Sequence, residues 1–255
     1  MPSFVTTVNS GSNTASTIWA ISTAAYNSGD LVLLGLASDD TVTHGTLPSG
    51  FNGESAQTVV NSFGNNLQRI SVWYWVATAN QVASSVIVTP SATEQRQANC
   101  SIVAAGDFDS AQVIGEISSR AQNIDIGAVS TFGFTAGASD GGGLLCAWIG
   151  VDTDPITGTP SGWSSIASVD IGAVSGTLSQ RTSSVGNSES IPVYIWTIAS
   201  DTWANTAFII RPATGGAPVQ MFTMFPPRLD GIGRGGIFPG NRLEAPMMRL
   251  AYKVL

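Results

Sequence analysis

Charge is what this 255-residue chain has least of: Asp, Glu, Lys and Arg make up 11% of it, against roughly a quarter in ordinary soluble domains. Lys253 is its single lysine, His44 its single histidine, and Cys100 and Cys146 its two cysteines. A net charge of −7 argues against a non-specific polyanion binder, because phosphate contacts need clustered cations. No nucleic-acid partner is expected. One His and two separated Cys do not make a closed structural zinc site, which takes four Cys or His ligands. No run approaches the roughly 18 consecutive apolar residues of a membrane span. The opening Met1-Pro2-Ser3-Phe4-Val5 lacks the basic-then-apolar pattern of a signal peptide. Neither a membrane partner nor a cofactor is expected.

What the chain does have is 43% hydrophobic side chains, enough for a core without disulfides or metals, and 28 glycines among abundant Ser, Thr and Asn. That composition suits many short strands joined by tight turns. So sparsely charged a surface calls for cover by copies of the chain or by partners. Both cysteines sit in apolar runs, as buried free thiols do; a disulfide between them is the alternative. The charges are unevenly placed, with 5 Arg against 15 acids in residues 1–218 and 5 Lys/Arg against 2 acids in residues 219–255.

An internal repeat organises the first 213 residues. Gly29-Asp30-Leu31-Val32-Leu33-Leu34-Gly35-Leu36 leads through Asp39-Asp40 to Pro48-Ser49-Gly50-Phe51. Gly143-Leu144-Leu145-Cys146-Ala147-Trp148-Ile149-Gly150-Val151 leads through Asp152 and Asp154 to Pro160-Ser161-Gly162-Trp163, about 112 residues on. Further strands are predicted in matching order: 70–76, 82–89 and 98–105 in the first copy, 176–182, 191–199 and 204–211 in the second. The period is two, which favours strand over helix. In Ile70-Ser71-Val72-Trp73-Tyr74-Trp75-Val76 aliphatics and tryptophans fall on opposite faces, so both faces of that sheet need cover.

These patterns predict an all-β protein with little helix. Its body would be an antiparallel β-sandwich, jelly-roll or immunoglobulin-like, spanning 1–213 in two pseudo-repeats, 1–110 and 111–213; two tandem immunoglobulin-like domains are the alternative. Beyond Ala213 the chain changes character. Residues 214–255 hold Met221, Met224, Met247 and Met248 among many Gly and Pro, too broken for a core and too apolar for a solvated tail. An extended C-terminal arm is expected, packed on its own body, a sister subunit or another protein. Its candidate interaction residues are Met221, Phe222, Met224, Phe225, Arg228, Arg234, Phe238, Arg242, Met247, Met248 and Arg249.

The order Gly29 to Leu36, Leu47-Pro48-Ser49-Gly50-Phe51, Leu67 to Ala79 and Ala104-Ala105-Gly106-Asp107-Phe108-Asp109 resembles a group of phage and prophage β-sandwich proteins. Those proteins typically read GDLLV, PxGW, LRLAVYYKVATA and GVD. Their second half resembles Gly142 to Trp163, ending in Phe208-Ile209-Ile210-Arg211-Pro212. The resemblance covers about residues 4–213 and leaves the arm aside. It implies a non-enzymatic virion structural protein made in the host cytoplasm, decorating or cementing a capsid. A tail or tail-fibre component, or a module binding host-surface glycans, is the alternative. Implied partners are major virion proteins and other copies of the chain; closure into a homo-oligomer such as a trimer would protect sheet edges.

Other constellations carry weaker signals of chemistry. His44 lies in an acidic turn with no nucleophile and orienting acid recognisable beside it, so no catalytic residue is assigned. Acidic turns at Asp39-Asp40, Asp107/Asp109 and Asp152/Asp154 could bind calcium but lack the spacing of a dedicated loop; backbone-bonding turn aspartates explain them better. The tryptophans Trp19, Trp73, Trp75, Trp148, Trp163, Trp196 and Trp203 suit the core or a subunit interface before a sugar platform. Gly231-Ile232-Gly233-Arg234-Gly235-Gly236 has no strand and helix to frame a phosphate cradle.

Overall fold

Period-two patterning becomes strand along most of the body. The computed structural model describes residues 1–39, 42–45, 58–64, 68–131, 133–170, 172 and 174–213. Its first half holds β1 (Phe4–Ser16), β2 (Trp19–Thr23), β3 (Leu31–Asp39), β4 (Thr58–Gly64), β5 (Gln68–Val76), β6 (Ser84–Val88) and β7 (Glu94–Val103). Its second half holds β8 (Ile114–Ser130), β9 (Phe134–Thr135), β10 (Leu144–Asp152), β11 (Ile156–Gly158), β12 (Trp163–Asp170), β13 (Val174–Arg181), β14 (Ser190–Ile191) and β15 (Ile195–Ile210). The helical content of the described residues is one 3-10 turn, Ala138–Asp140.

The main sheets of the two halves have the same strand order. The first runs β1-β7-β3-β5-β4 and the second β8-β15-β10-β13-β12, all antiparallel, with β11 pairing another stretch of β15. Each half adds a two-stranded sheet at the matching place in chain order, β2 with β6 and β9 with β14. The two main sheets stack face to face, β7 on β13, β3 on β10 and β5 on β15, with β1 beside β12 and β4 beside β8. Matching strands therefore meet as they would across a two-fold axis, and the body is one antiparallel sandwich flanked by two small sheets. Chain contacts group Met1–Gly216 into one unit and Ala217–Leu255 into another.

Side-chain alternation then builds three cores. Leu31, Leu33, Ile70 and Val72 of the first sheet meet Leu144, Cys146, Trp148 and Phe208 of the second in a central core. On the outward face, Val32, Leu34, Leu36, Trp73 and Trp75 pack with Trp19, Ile21, Val86 and Val88 of the β2–β6 sheet. Leu145, Ala147, Ile149 and Val151 face a third core with Trp163, Trp196, Trp203 and Ile191. The second layer that the two-sided strand at 70–76 requires is thus the chain's own small sheet.

Trp148 joins the halves. Its indole Nε1 donates to the Leu36 carbonyl at 3.0 Å, from the second sheet to the first. Gly35 lies beneath the ring, where a Cβ would come within 2.7 Å of Trp148, and Gly176 faces it from its own sheet. Gly35 and Trp148 are the third inward residues of the matching strands β3 and β10, so a two-fold would set like against like. The sequence sets the largest side chain against none.

The strand entries are stapled by buried aspartates. Gly29 turns with φ +90°, and Asp30 accepts from the amides of Asn27 at 2.8 Å and Ala105 at 2.9 Å. Asp140, fully buried, accepts from Gly137 N at 2.8 Å and pairs with Arg211 at 2.7 Å. Arg211 thereby ties the end of the body to the start of the second half. Contrary to expectation, the segments 191–199 and 204–211 are not two strands; β15 runs unbroken from Ile195, bending at register shifts around Asp201. What breaks instead is 191–195, where Pro192 has no N–H for a ladder.

Gly35→Ala should cost about 1–3 kcal/mol through overpacking, and Trp148→Leu at least as much through the cavity it leaves. In urea unfolding, the double variant should cost clearly less than the sum of the singles, because the smaller side chain makes room for the methyl. Strict additivity would mean that the two residues do not bear on one another.

Candidate functional site

Two polar constellations stand out in the described body, and both sit at the acidic turn after β3. The first is His44. The ring is 1% exposed, with Nε2 2.7 Å from Ser38 Oγ and Nδ1 2.9 Å from Ser71 Oγ. Trp19 meets it edge-on at 5.5 Å and Trp73 lies 6.2 Å away. Burial first, then the charge of Arg69, lowers its pKa to about 3. A neutral imidazole donates from one nitrogen and accepts at the other, so two serines satisfy it completely. A Ser–His contact has the spacing of an activated nucleophile, but Ser38, His44 and Ser71 are all sealed from solvent. The arrangement is a hydrogen-bonded clasp between the loop after β3 and the sheet beneath it.

The second constellation is acidic. Asp39 and Asp152 occupy matching positions at the ends of β3 and β10, and Asp201 joins them from the bend of β15. Burial raises the Asp152 carboxyl to about 7, helped by the charges of Asp39 and Asp201 and by a hydrogen bond shared with Asp39. Near neutral pH the pair therefore shares a proton across the junction of the halves. Asp201 Oδ2 also accepts from the amide of Asp154 at 3.1 Å. Among the described residues no three or more His, Cys, Asp or Glu are placed to hold a metal ion. Elsewhere the acidic turns do backbone work: Asp109 Oδ1 accepts from the amides of Ala111 and Gln112, and Asp170 Oδ1 from Gly172.

All seven tryptophans are buried, the most open, Trp163, at 7% exposure, so none offers a flat face to a sugar. Cys100 and Cys146 are free thiols in different cores. Burial pushes Cys100 up to about 11 and Cys146 higher still, which keeps both unreactive. The eleven arm residues from Met221 to Arg249, the glycine-rich run at 231–236 and Pro48 to Phe51 lie outside the described residues. Sequence pattern alone does not show the pairing of Asp39 with Asp152, although aligning β3 with β10 sets them at the same position. The chain matches no protein-family model, no curated protein and no solved structure.

The two constellations respond to pH in opposite senses. Asp152 holds its proton more tightly folded than unfolded, where its ordinary value is 3.8, so its contribution is complete below pH 3.8 and is lost as pH rises to about 7. Asp152→Asn should flatten the fall in melting temperature over that window and leave the variant the more stable protein at pH 8. A melting profile parallel to the parent's would show that Asp152 titrates normally. His44 acts the other way, losing stability as pH falls from 6.5 towards 3. As the only histidine, its ring-proton NMR signals should stay unshifted from pH 8 to about 4.5, whereas a normal histidine would titrate near 6.5.

Proposed function

We propose that this chain is a virion structural protein of a tailed phage, decorating or cementing the capsid surface through non-covalent contacts and without enzymatic activity. What supports this above all is the order of its sequence motifs. The Gly-Asp-apolar segment at 29–36, the run at 67–79, the acidic Ala104–Asp109 turn and the closing Arg211-Pro212 follow the order of phage β-sandwich proteins. The same motifs hold defined mechanical jobs in the body: Asp30 staples the entry of β3, and Arg211 pairs with Asp140. A particle surface protein works by binding energy alone and needs a sealed, stiff body. The long edge strands β1 and β8 suit attachment as well, because an edge presents unpaired backbone groups to a neighbouring chain.

The arm is the fastener in this proposal. Met221, Phe222, Met224, Phe225, Phe238, Met247 and Met248 supply apolar anchors, and Arg228, Arg234, Arg242 and Arg249 face acidic neighbours. Flexible methionine side chains fill irregular grooves, and each fully buried anchor offers roughly 1.5–3 kcal/mol before ordering costs. Ending the chain after Ala213, whose amide still reaches the Asp107 carbonyl, should give a folded, soluble body that no longer co-sediments with particles. Full-length attachment should weaken only in part in high salt, since apolar contacts are not screened. A truncated body that binds particles normally would remove the arm from attachment; one that unfolds would make the arm part of its own core.

A further inference from the structure

The second half carries a cleft of about 250 Å³ on the outward face of its main sheet, between β11 and the β12–β13 pair. Thr157, Thr159, Ser165, Ser168 and Thr177 line it with hydroxyls, and Ile156 adds an aliphatic wall. The four hydroxyls on β11, its following turn and β12 are exposed and form the rim, while Thr177 is 1% exposed at the base. Ser168 and Thr177 hydrogen-bond to each other at 2.9 Å, which fixes the base. None of the lining residues is ionisable.

A second observation lies beside the base. Ser175 and Ser179 flank Thr177 two residues to either side, so alternation along β13 turns all three to the same face of the sheet. Both are buried, at 2% and 0% exposure, and neither hydroxyl has a hydrogen-bond partner among the described residues. Ser179 also sits opposite the cleft residue Ser165 in the strand pairing. Buried hydroxyls without partners are uncommon and call for an explanation such as a polar ligand or ordered water.

The geometry points to a binding site for a single neutral sugar ring, held by hydroxyl-to-hydroxyl hydrogen bonds in the cleft between β11 and β12–β13. The volume falls below the range of roughly 300–1,000 Å³ usual for drug-sized ligands, which fits one pyranose or the end of a glycan chain. Ser and Thr hydroxyls both donate and accept, and a sugar presents the same dual groups around its ring. An anionic sugar would find no cation in the lining and would meet a body of 5 Arg against 15 acids. The site needs none of the arm and does not rest on the virion proposal.

The test is a titration of the full-length protein, followed by amide and side-chain NMR shifts, with glucose, galactose and N-acetylglucosamine. Glycerol and N-acetylneuraminic acid serve as small-polyol and anionic comparisons. At least one neutral hexose should bind with a millimolar dissociation constant, shifting signals of residues 156–159, 165–168 and 175–179, while N-acetylneuraminic acid leaves them unmoved. Thr177→Val keeps the shape and removes the base hydroxyl, and should weaken binding about fivefold. Thr157→Val, at the exposed rim, tests the same point without touching the core. Water alone fills the cleft if no neutral hexose moves these signals at 100 mM, if glycerol binds as tightly as any hexose, or if both variants bind unchanged. Each of those results overturns the proposal.

Discussion

Everything in this body depends on how the Trp148 indole is seated between the two main sheets. Sheets packed face to face sit roughly 10 Å apart, and a tryptophan pointing inward at the centre of one sheet needs a hole in the other. Gly35 is that hole, and the Leu36 carbonyl beside it takes the indole N–H. The match fixes the sheets in register with one another, because every inward neighbour of Gly35, Leu33 and Ala37 along β3 and Val72 and Asn99 on the strands either side, carries a side chain. It also explains why the body is a single sandwich and not two independent domains: each main sheet has one face committed to the other half.

The matching strand orders show what the arrangement resembles physically. Two similar halves meeting through equivalent faces reproduce an isologous dimer interface within one chain. Joining the halves releases the sequence from the constraint of true symmetry, under which one residue type must suit both sides. At the position of Gly35 and Trp148 the freedom is used for packing, large against absent. At the ends of the same strands it is not used. Asp39 and Asp152 face each other as a symmetric dimer would force them to, and the cost of two like charges is avoided by sharing a proton.

Much of this was legible in the sequence, and the parts that were not have physical reasons. Strands with aliphatic or aromatic residues on both faces, such as 31–36 and 70–76, declared themselves because burial on both sides leaves a dense apolar signal. The edge strands β1 and β8 did not. Phe4–Ser16 is rich in Ser, Thr and Asn, and Ile114–Ser130 mixes Ser and Gly with Glu, Arg, Gln, Asn and Asp, so both read as loop. The repeat was readable, but which face of each copy met the other was not, since inward and outward sets are both apolar. His44 reads from sequence as a lone histidine in an acidic turn, and only folding brings Ser38 and Ser71 to its two nitrogens. The hydroxyl cleft had no sequence signal at all, because Ser and Thr on a strand read alike whether they face solvent, a neighbour or a ligand.

The same architecture limits where function can reside. Both faces of the strongly patterned strands are spent on cores, all the tryptophans are inside, and the described ion pairs, Arg181 with Glu189 and Arg211 with Asp140, bind the body to itself. What is left for partners is the perimeter: edge strands, the turns at the strand ends, the outer surface of the small sheets and the cleft under β11. The body holds few cations, 5 Arg against 15 acids in residues 1–218, so recognition there rests on hydrogen bonding, shape and backbone pairing. Contacts of that kind are modest one at a time and gain strength through repetition. The sequence beyond Ala213 adds what the body has least of, with four of the five methionines and five of the ten Lys/Arg residues.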